Sequence, residues 1–452
     1  MSDRAQTIFA LSSGAGRAGV AVLRLSGPES AAALKALCGS ELPEPRRASL
    51  RPLRDPGSGV PLDRALLFWF PAPGSFTGED MAEIHCHGGR AVVEGVLAAL
   101  AARPGLRPAE AGEFTRRAFD AGKLDLTEVE GLADLINAET EAQRRQALRQ
   151  MEGGLEARLA PWRESLTRQL AHLEAAIDFS EEELPEDLLD GQAAALTALA
   201  AEIGEALERS ARARGLRQGL QIAIVGPPNA GKSSILNKIA GREAAIVSER
   251  AGTTRDVVEV HLSLGGLPVT LADTAGLRAA EADEIDPVER EGMRRSRERA
   301  AAADLVLAVF DATAWPDLDA ATLALLGREG AILLNKIDLV GDAAPPEDPE
   351  GRTLLLLSAK EGQGLDALEA WLEKKLALDL APALEAPEFT RQRHCAALEE
   401  TAEALTRAAA VEEVALRAEE LRLALRALGR ISGRVDVEDL LGVIFSDFCI
   451  GK

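Results

Sequence analysis

Apolar positions along this chain fall into three successive rhythms. Over residues 1–120, short apolar runs such as "VAVLRL" and "RALLFWF" are separated by loops rich in Pro and Gly, which predicts a small α/β domain. From "GKLDLTEVEGLADLI" onward the texture is alanine-rich and helical. Leu155, Leu159, Trp162, Leu166, Leu170, Leu173 and Ile177 recur at threes and fours, so one apolar stripe runs along a helix and requires partners. The same period returns after residue 380, at Cys395, Leu398, Ala402 and Leu405, then at Val414, Leu421, Leu425 and Leu428. Between these stretches, over 216–380, the runs "LQIAIVG", "PVTLAD", "DLVLAVFD", "AILLNK" and "TLLLLSA" have strand length and alternate with helical segments, the mark of a mostly parallel sheet covered on both faces. The expected fold class is α/β plus all-α. An N-terminal α/β domain (1–120) precedes a discontinuous helical domain (121–215 and 381–452), and a second α/β domain (216–380) is inserted into it.

A chain of 452 residues exceeds one hydrophobic core, in keeping with several domains. With 46% hydrophobic and 27% charged residues, no bilayer-length apolar run and no signal-peptide core in "MSDRAQTIFALSSG", the expectation is a soluble, cytoplasmic protein without a membrane partner. The formal charge of −22 opposes non-specific binding of nucleic acid over the whole surface, so an RNA contact would need a local basic patch or a basic partner. Cysteines 38, 86, 395 and 449 are scattered, which points neither to a disulfide framework nor to a cysteine zinc site.

The chemistry concentrates in the third rhythm. "GPPNAGKS" follows the strand "QIAIV" and opens the helix "SSILNKIA", the context a phosphate-binding loop requires. Gly226 and Gly231 allow backbone N–H groups to curl around a β-phosphate, Lys232 reaches the β/γ oxygens, and the Ser233 hydroxyl is placed for Mg²⁺. In "NKID", Asp338 can accept from guanine N1–H and its amino group, whereas adenine offers no such pair, so GTP is preferred; Asn335 and Lys336 brace the loop and the ring. "SAK" (Ser358, Ala359, Lys360) adds a backbone N–H for guanine O6. "DTAG" supplies Asp273 for the Mg²⁺ shell through water and the Gly276 amide for the γ-phosphate, and "AGTTRD" offers Thr254 as a second Mg²⁺ ligand. The expected nucleotide-lining residues are Asn229, Ala230, Gly231, Lys232, Ser233 and Ser234; Ser248, Glu249, Arg250, Ala251, Gly252, Thr253 and Thr254; Asp273, Thr274, Ala275 and Gly276; Asn335, Lys336, Ile337 and Asp338; and Ser358, Ala359 and Lys360. Where Ras-like proteins carry a water-orienting glutamine after the "DTAG" turn, this chain has Leu277.

Two other motifs mislead. "GAGRAG" at Gly14, Gly16 and Gly19 spells a dinucleotide fingerprint, but the strand "VAVLRL" follows it where a helix is needed, so a tight glycine loop between strands is expected. In "EIHCHGG", strand alternation turns Cys86 away from His85 and His87, so the three do not converge on a metal.

"GPPNAGKS", "AGTTRD", "DTAGLR" and "FCIGK", together with "VLRLSG", "SFTGED", "HGG", "GEFTRRAF" and "GKLDLTEVEGLADLI", resemble the MnmE (TrmE) family of tRNA-modifying GTPases over nearly the full length. The resemblance implies a Ras-like G domain in which K⁺ stands in for an arginine finger, held by Asn229 and by oxygens of Ser248, Arg250 and Thr253. It also implies a water-positioning Glu289 in "VEREG"; without the resemblance, that acidic run reads as a solvated face. It implies an N-terminal pocket for a tetrahydrofolate derivative (5-formyl or 5,10-methylene) held by Arg24, Glu83, Lys123 and Lys452. Read by itself, Arg24 is a surface charge closing a strand. The implied partners are a second copy of the chain, giving a homodimer, tRNA, and a flavin-dependent protein in a heterotetramer; the implied reaction is modification of the wobble uridine at C5. Two departures flank the implied folate site: "LSSGAGRAG" lacks the family's usual proline pair, and "GRVDVEDLL" lacks its common Thr-Gly or Thr-Thr pair.

The segment "CIGK" has the spacing of a prenylation box, but Gly451 is not aliphatic, Lys452 is an atypical last residue and no polybasic signal precedes it. Leu440, Leu441, Ile444, Phe445 and Phe448 have helical spacing, which predicts a final helix docked on the helical core with the candidate catalytic residue Cys449 just beyond it. A GTP-switched ribosome-assembly factor accounts equally for the G motifs but leaves "FCIGK" unexplained, and a membrane protein anchored at Cys449 is the third reading.

Overall fold

The computed structural model describes residues 6–39, 41–178, 189, 191–242, 259–273, 298, 300–327, 330–340, 351–386, 388–435, 441, 444–445, 448 and 451, apart from a few side chains within these ranges. The chain divides into two compact units, Met1–Ala133 with Leu428–Lys452, and Asp134–Ala427.

In the first unit, β1 (Thr7–Leu11), β2 (Ala18–Ser26), β3 (Ser49–Arg54), β4 (Pro61–Phe70), β5 (Met81–Gly88) and β6 (Leu106–Pro108) form one sheet in the order β3-β4-β5-β2-β1-β6. All neighbours are antiparallel except β1 and β6. Strict alternation sends Leu23, Leu25, Leu67, Trp69, Ile84 and Cys86 to one face, where they are buried with residues of α1 (Ser30–Cys38) and α2 (Arg90–Ala101). Gly14 and Gly16 of "GAGRAG" lie in the connection between antiparallel β1 and β2, as expected of a glycine loop between strands, while Ala18 and Gly19 already belong to β2.

Two of the family-like motifs prove to be halves of one buried network. Arg117, on α3 (Glu113–Asp120) and only 2% exposed, donates to Glu79 of "SFTGED", to Glu113 of its own helix and to the main-chain carbonyls of Gln6 and Ser26. Burying a guanidinium is tolerable only with such partners. Arg107 adds a bidentate pair to Glu113. The predicted final helix is helical at Leu441 and at Ile444–Phe445. Its buried Leu441, Phe445 and Phe448 pack with Phe119, Leu124, Leu126 and Val129, so the apolar surface that receives it comes from α3 and from α4 (Leu126–Ile136).

The second unit combines long helices with a second sheet. The stripe predicted for residues 155–177 lies on α6 (Gly154–Asp178), where Leu155, Leu159, Trp162, Leu166 and Leu173 are buried. With it are α5 (Glu141–Met151), which opens on a Thr140/Gln143 capping box, and α7 (Gln192–Gln218). The sheet follows from β7 (Leu220–Val225), α8 (Lys232–Arg242), β8 (Glu259–Leu264), β9 (Leu267–Asp273), β10 (Leu305–Asp311), α9 (Ala320–Leu323), β11 (Ala331–Asn335) and β12 (Thr353–Leu356). Its order is β12-β11-β10-β7-β9-β8, parallel throughout except at β8–β9. The chain returns through α10 (Leu365–Glu385), α11 (Gln392–Ala410) and α12 (Val414–Ser432), with α11 packed on α7.

Both junctions of the 216–380 stretch are pinned by charge. Asp134, at the end of α4, accepts from Arg391 at 2.8 Å and lies 4.0 Å from Arg217, and Gln143 donates to the Arg217 carbonyl. Glu388 is 2% exposed between Arg158 and Arg209, and Phe389 beside it packs its ring near Trp162 and under the Arg158 guanidinium.

Candidate functional site

The phosphate loop begins where β7 ends, at the centre of the parallel sheet between β10 and β9, and leads directly into α8. This is the position at which a helix N-terminus points its free N–H groups at an anion. Asn229 has φ +61°, and Lys232 is 7% exposed with its Nζ donating to the Gly226 and Pro227 carbonyls at 2.8 Å each, so the ammonium sits over the loop. Ser233 and Ser234 are exposed on the first turn of α8.

Asn335 closes this loop onto the base-reading turn. Its side chain is 2% exposed; Nδ2 donates to the Ala230 carbonyl at 2.8 Å and Oδ1 accepts from the Ala359 amide at 3.0 Å. One amide thereby ties "GPPNAGKS", "NKID" and "SAK" together. Gly231 must be glycine for this to happen: its φ is +94°, and a Cβ there would collide with Asn335 Nδ2. Lys336, at φ +65°, reaches back to Asp311 at 2.7 Å. Burial pushes the Asp311 carboxyl up, but hydrogen bonds from Lys336 and Thr313 outweigh it and hold it below its ordinary value. Asp338 is exposed, with one carboxylate oxygen held at 2.6 Å by the buried Ser358 hydroxyl. A cavity of about 620 Å³ is bounded by Gly231, Ser234, Lys238, Asn335, Lys336, Asp338, Ala359 and Lys360. The carboxylate of Asp338 stands on the "NKID" side and the phosphate-loop residues Gly231 and Ser234 with Lys238 on the other, so the residues present fit a nucleotide. Ser248–Thr254, Thr274–Gly276, Glu289 and the Asp273 side chain lie outside the described residues.

A second polar centre occupies the other face of the first unit's sheet. Arg24 and Glu83 are cross-strand partners, joined through Nε at 3.2 Å and Nη2 at 2.9 Å. Arg24 therefore does not close a strand as a surface charge. It sits inside β2, with 23% of its side chain exposed and its guanidinium over the Phe76 and Phe114 rings, because cross-strand pairing holds it where a strand end would leave it in water. Glu83 spends its second oxygen on His85 Nε2 at 3.1 Å, and Phe68 lies against that imidazole. Lys123 is exposed and its stem lies beside Gly78 of "SFTGED", the loop that also carries Phe76. Carboxylate, guanidinium and ammonium thus border one loop, a donor set that fits a flat N–H-bearing ring with an acidic tail. Cys449 and Lys452 lie outside the described residues, but Gly451 is within them and rests on the end of β1.

Reasoning from sequence alone missed three residues. His85 could have been found, since alternation puts it on the face of Glu83 two positions away. Asp311 had a weaker signal, an acid at the end of a parallel strand directly beside Asn335. Ser12, which donates to the Gly451 carbonyl at 2.8 Å, had none. His87 and Cys86 do face opposite ways: His87 is exposed and held through Nδ1 by Asp63, while Cys86 is 2% exposed with its thiol pushed up to about 11 by burial and then by the Asp63 charge.

A phosphate loop on a central strand of a mostly parallel sheet, locked by an asparagine to an Asn-Lys-Ile-Asp turn, defines the class of P-loop GTPases. The model of the MnmE helical domain matches residues 126–449, and that of the GTP-binding protein TrmE N-terminus matches residues 7–123. The chain is 54% identical over 451 residues to the tRNA modification GTPase MnmE of Paramagnetospirillum magneticum, covering 99% of this chain and 100% of that one. It is 55% identical to the protein of the same name from Parvibaculum lavamentivorans, with the same coverage. The human mitochondrial 5-taurinomethyluridine-[tRNA] synthase subunit GTPB3 is 50% identical over 99% of this chain and 93% of its own. The chain belongs to the MnmE family of tRNA modification GTPases. No helix among the described residues is long and apolar enough to cross a membrane.

Proposed function

We propose that this protein hydrolyses GTP and takes part, in the cytoplasm, in modifying the tRNA wobble uridine at C5 to an aminomethyl or carboxymethylaminomethyl form, with a tetrahydrofolate one-carbon donor and a flavin-dependent partner. The observation that carries the nucleotide half is the Asn335 bridge, which gives the phosphate loop and the guanine-reading turn one fixed geometry. Lys232 neutralises the β/γ oxygens, Asp338 accepts from the guanine edge, and the Ala359 region supplies a backbone donor. Ser233 and Thr254 would hold Mg²⁺, and Asn229, Ser248, Arg250 and Thr253 would hold K⁺; bound there, the cations neutralise charge that develops on the transferring phosphoryl group. Glu289 orients the attacking water in place of the glutamine that Leu277 displaces.

The one-carbon half rests on the Arg24–Glu83 pair with its open side and on the nearby Lys123. Glu83 accepts from the ring of the folate and the basic groups take its acidic tail, while Cys449 and Lys452 complete the site from the Cys-Ile-Gly-Lys segment. The reading assigns 1–120 to folate binding and dimerisation, 121–215 and 381–452 to the helical domain, and 216–380 to the G domain. A homodimer then joins a flavin-dependent partner in a heterotetramer that shares the binding of tRNA, consistent with the acidity of this chain.

Nucleoside mass spectrometry of tRNA with and without the gene tests this directly: deletion should remove a C5-modified wobble uridine. An unchanged nucleoside profile would overturn the reading and favour a GTP-switched assembly factor. Hydrolysis in K⁺ and in Na⁺ buffers tests the cation assignment, with equal rates counting against it.

A further inference from the structure

The carbonyl of Gly451 accepts a hydrogen bond from the side chain of Ser12, 439 positions away, at 2.8 Å. Ser12 follows β1 directly, and its own amide donates to the Val22 carbonyl at 2.7 Å while the Val22 amide donates to Ser13 Oγ at 3.1 Å. The start of the glycine loop is therefore pinned to β2 on both sides of one residue, and the direction of the Ser12 hydroxyl is set by the sheet. Gly451 answers this geometry: its φ is +102°, and a Cβ would fall on the Leu11 carbonyl oxygen, so the peptide lies flat on the end of β1 as only glycine can. Upstream, Phe445 and Phe448 hold the segment by apolar burial, which is non-directional and leaves the register of the following peptide open. The Ser12 hydrogen bond supplies that register. Ala10, two residues before Ser12 and thus about 7 Å along the strand, is the cross-strand partner of Arg24.

We infer that Ser12 is a positioning residue for the modification chemistry: its hydroxyl seats the Gly451 peptide in register on the end of β1, the strand whose Ala10 lies opposite Arg24. The inference rests on the proposed role of that segment and adds the residue that sets it in place. It also explains why the segment carries glycine between Ile450 and Lys452.

The test uses the full-length protein and the variants Ser12→Ala and Ser12→Thr. Hydrogen exchange followed by mass spectrometry should show the peptide containing residues 449–452 exchanging about five- to tenfold faster in Ser12→Ala, the loss of one net hydrogen bond, with Ser12→Thr restoring protection. Peptides from β1 and β2 should be unchanged. GTP hydrolysis should stay within about twofold in both variants, because Ser12 belongs to the other compact unit, while wobble-uridine modification falls at least about tenfold in Ser12→Ala alone. Unchanged exchange of the 449–452 peptide overturns the seat, and so does a parallel rise in exchange across the whole sheet. Faster exchange with full modification overturns the positioning role. If wild-type protein itself fails to restore the modified nucleoside in a deletion strain, the fault lies with the proposed function, and the exchange ratio still decides whether Ser12 holds the segment.

Discussion

Replacing Asn335 by alanine removes the clasp between the phosphate loop and the base-reading turn. Two buried hydrogen bonds disappear, one from Nδ2 to Ala230 and one from the Ala359 amide to Oδ1. At about 1 kcal/mol net for each, the binding-competent arrangement loses about 2 kcal/mol, and at about 1.4 kcal/mol per factor of ten this is roughly thirtyfold in its population. A ligand that requires this arrangement loses apparent affinity by the same factor once the competent state is no longer dominant. Burial of the orphaned Ala230 carbonyl and Ala359 amide pushes the figure upward, while water entering the space vacated by the side chain pulls it down. The expected outcome is a rise of up to about thirtyfold in the dissociation constant of a fluorescent guanine nucleotide. Asn335→Asp is informative beside it. It keeps the acceptor for Ala359 but sets an anionic oxygen against the Ala230 carbonyl, so it should bind no better than the alanine variant. A dissociation constant for Asn335→Ala within about twofold of wild type, with an unchanged melting profile, would refute the clasp.

Further outcomes follow from the buried charges. Glu388→Ala leaves Arg158 without its closest carboxylate and should lower stability by about 3 kcal/mol, read as an earlier urea transition; Glu388→Gln should lose less. Burial raises the Glu113 carboxyl, but Arg107, the Glu110 amide and Arg117 outweigh it and hold it below the ordinary 4.5. Its stabilisation is thus full above that value and fades as pH falls through the lower folded value, so Glu113→Gln should destabilise at neutral pH and converge with wild type as acidification passes that lowered value. Cys86, with its thiol pushed up to about 11, should resist iodoacetamide at neutral pH and become reactive only under strongly alkaline conditions; rapid alkylation at neutral pH would contradict its burial.

What the sequence determined by itself is local. The strands from "LQIAIVG" to "TLLLLSA", the helix after the phosphate loop and the apolar stripe on α6 were legible because periodicity and glycine placement act within a few residues. The order of motifs in 216–380 marked the nucleotide cradle for the same reason, since each of its parts is a short turn at the end of a strand. Alternation alone separated Cys86 from His85 and His87.

Only the tertiary structure decided which distant groups meet. Arg24 reads as a terminal surface charge until β5 brings Glu83 opposite it. "SFTGED" and "GEFTRRAF" look like independent motifs until Arg117 is seen to join Glu79 to Glu113. Asp134 collects arginines from both junctions of the nucleotide-binding stretch, and Ser12 finds Gly451 across nearly the whole chain. The reason is the same in each case. A charge or hydroxyl on a strand or helix carries no local pattern that names its partner, and the partner is chosen by the packing of apolar faces that brings the two backbones together.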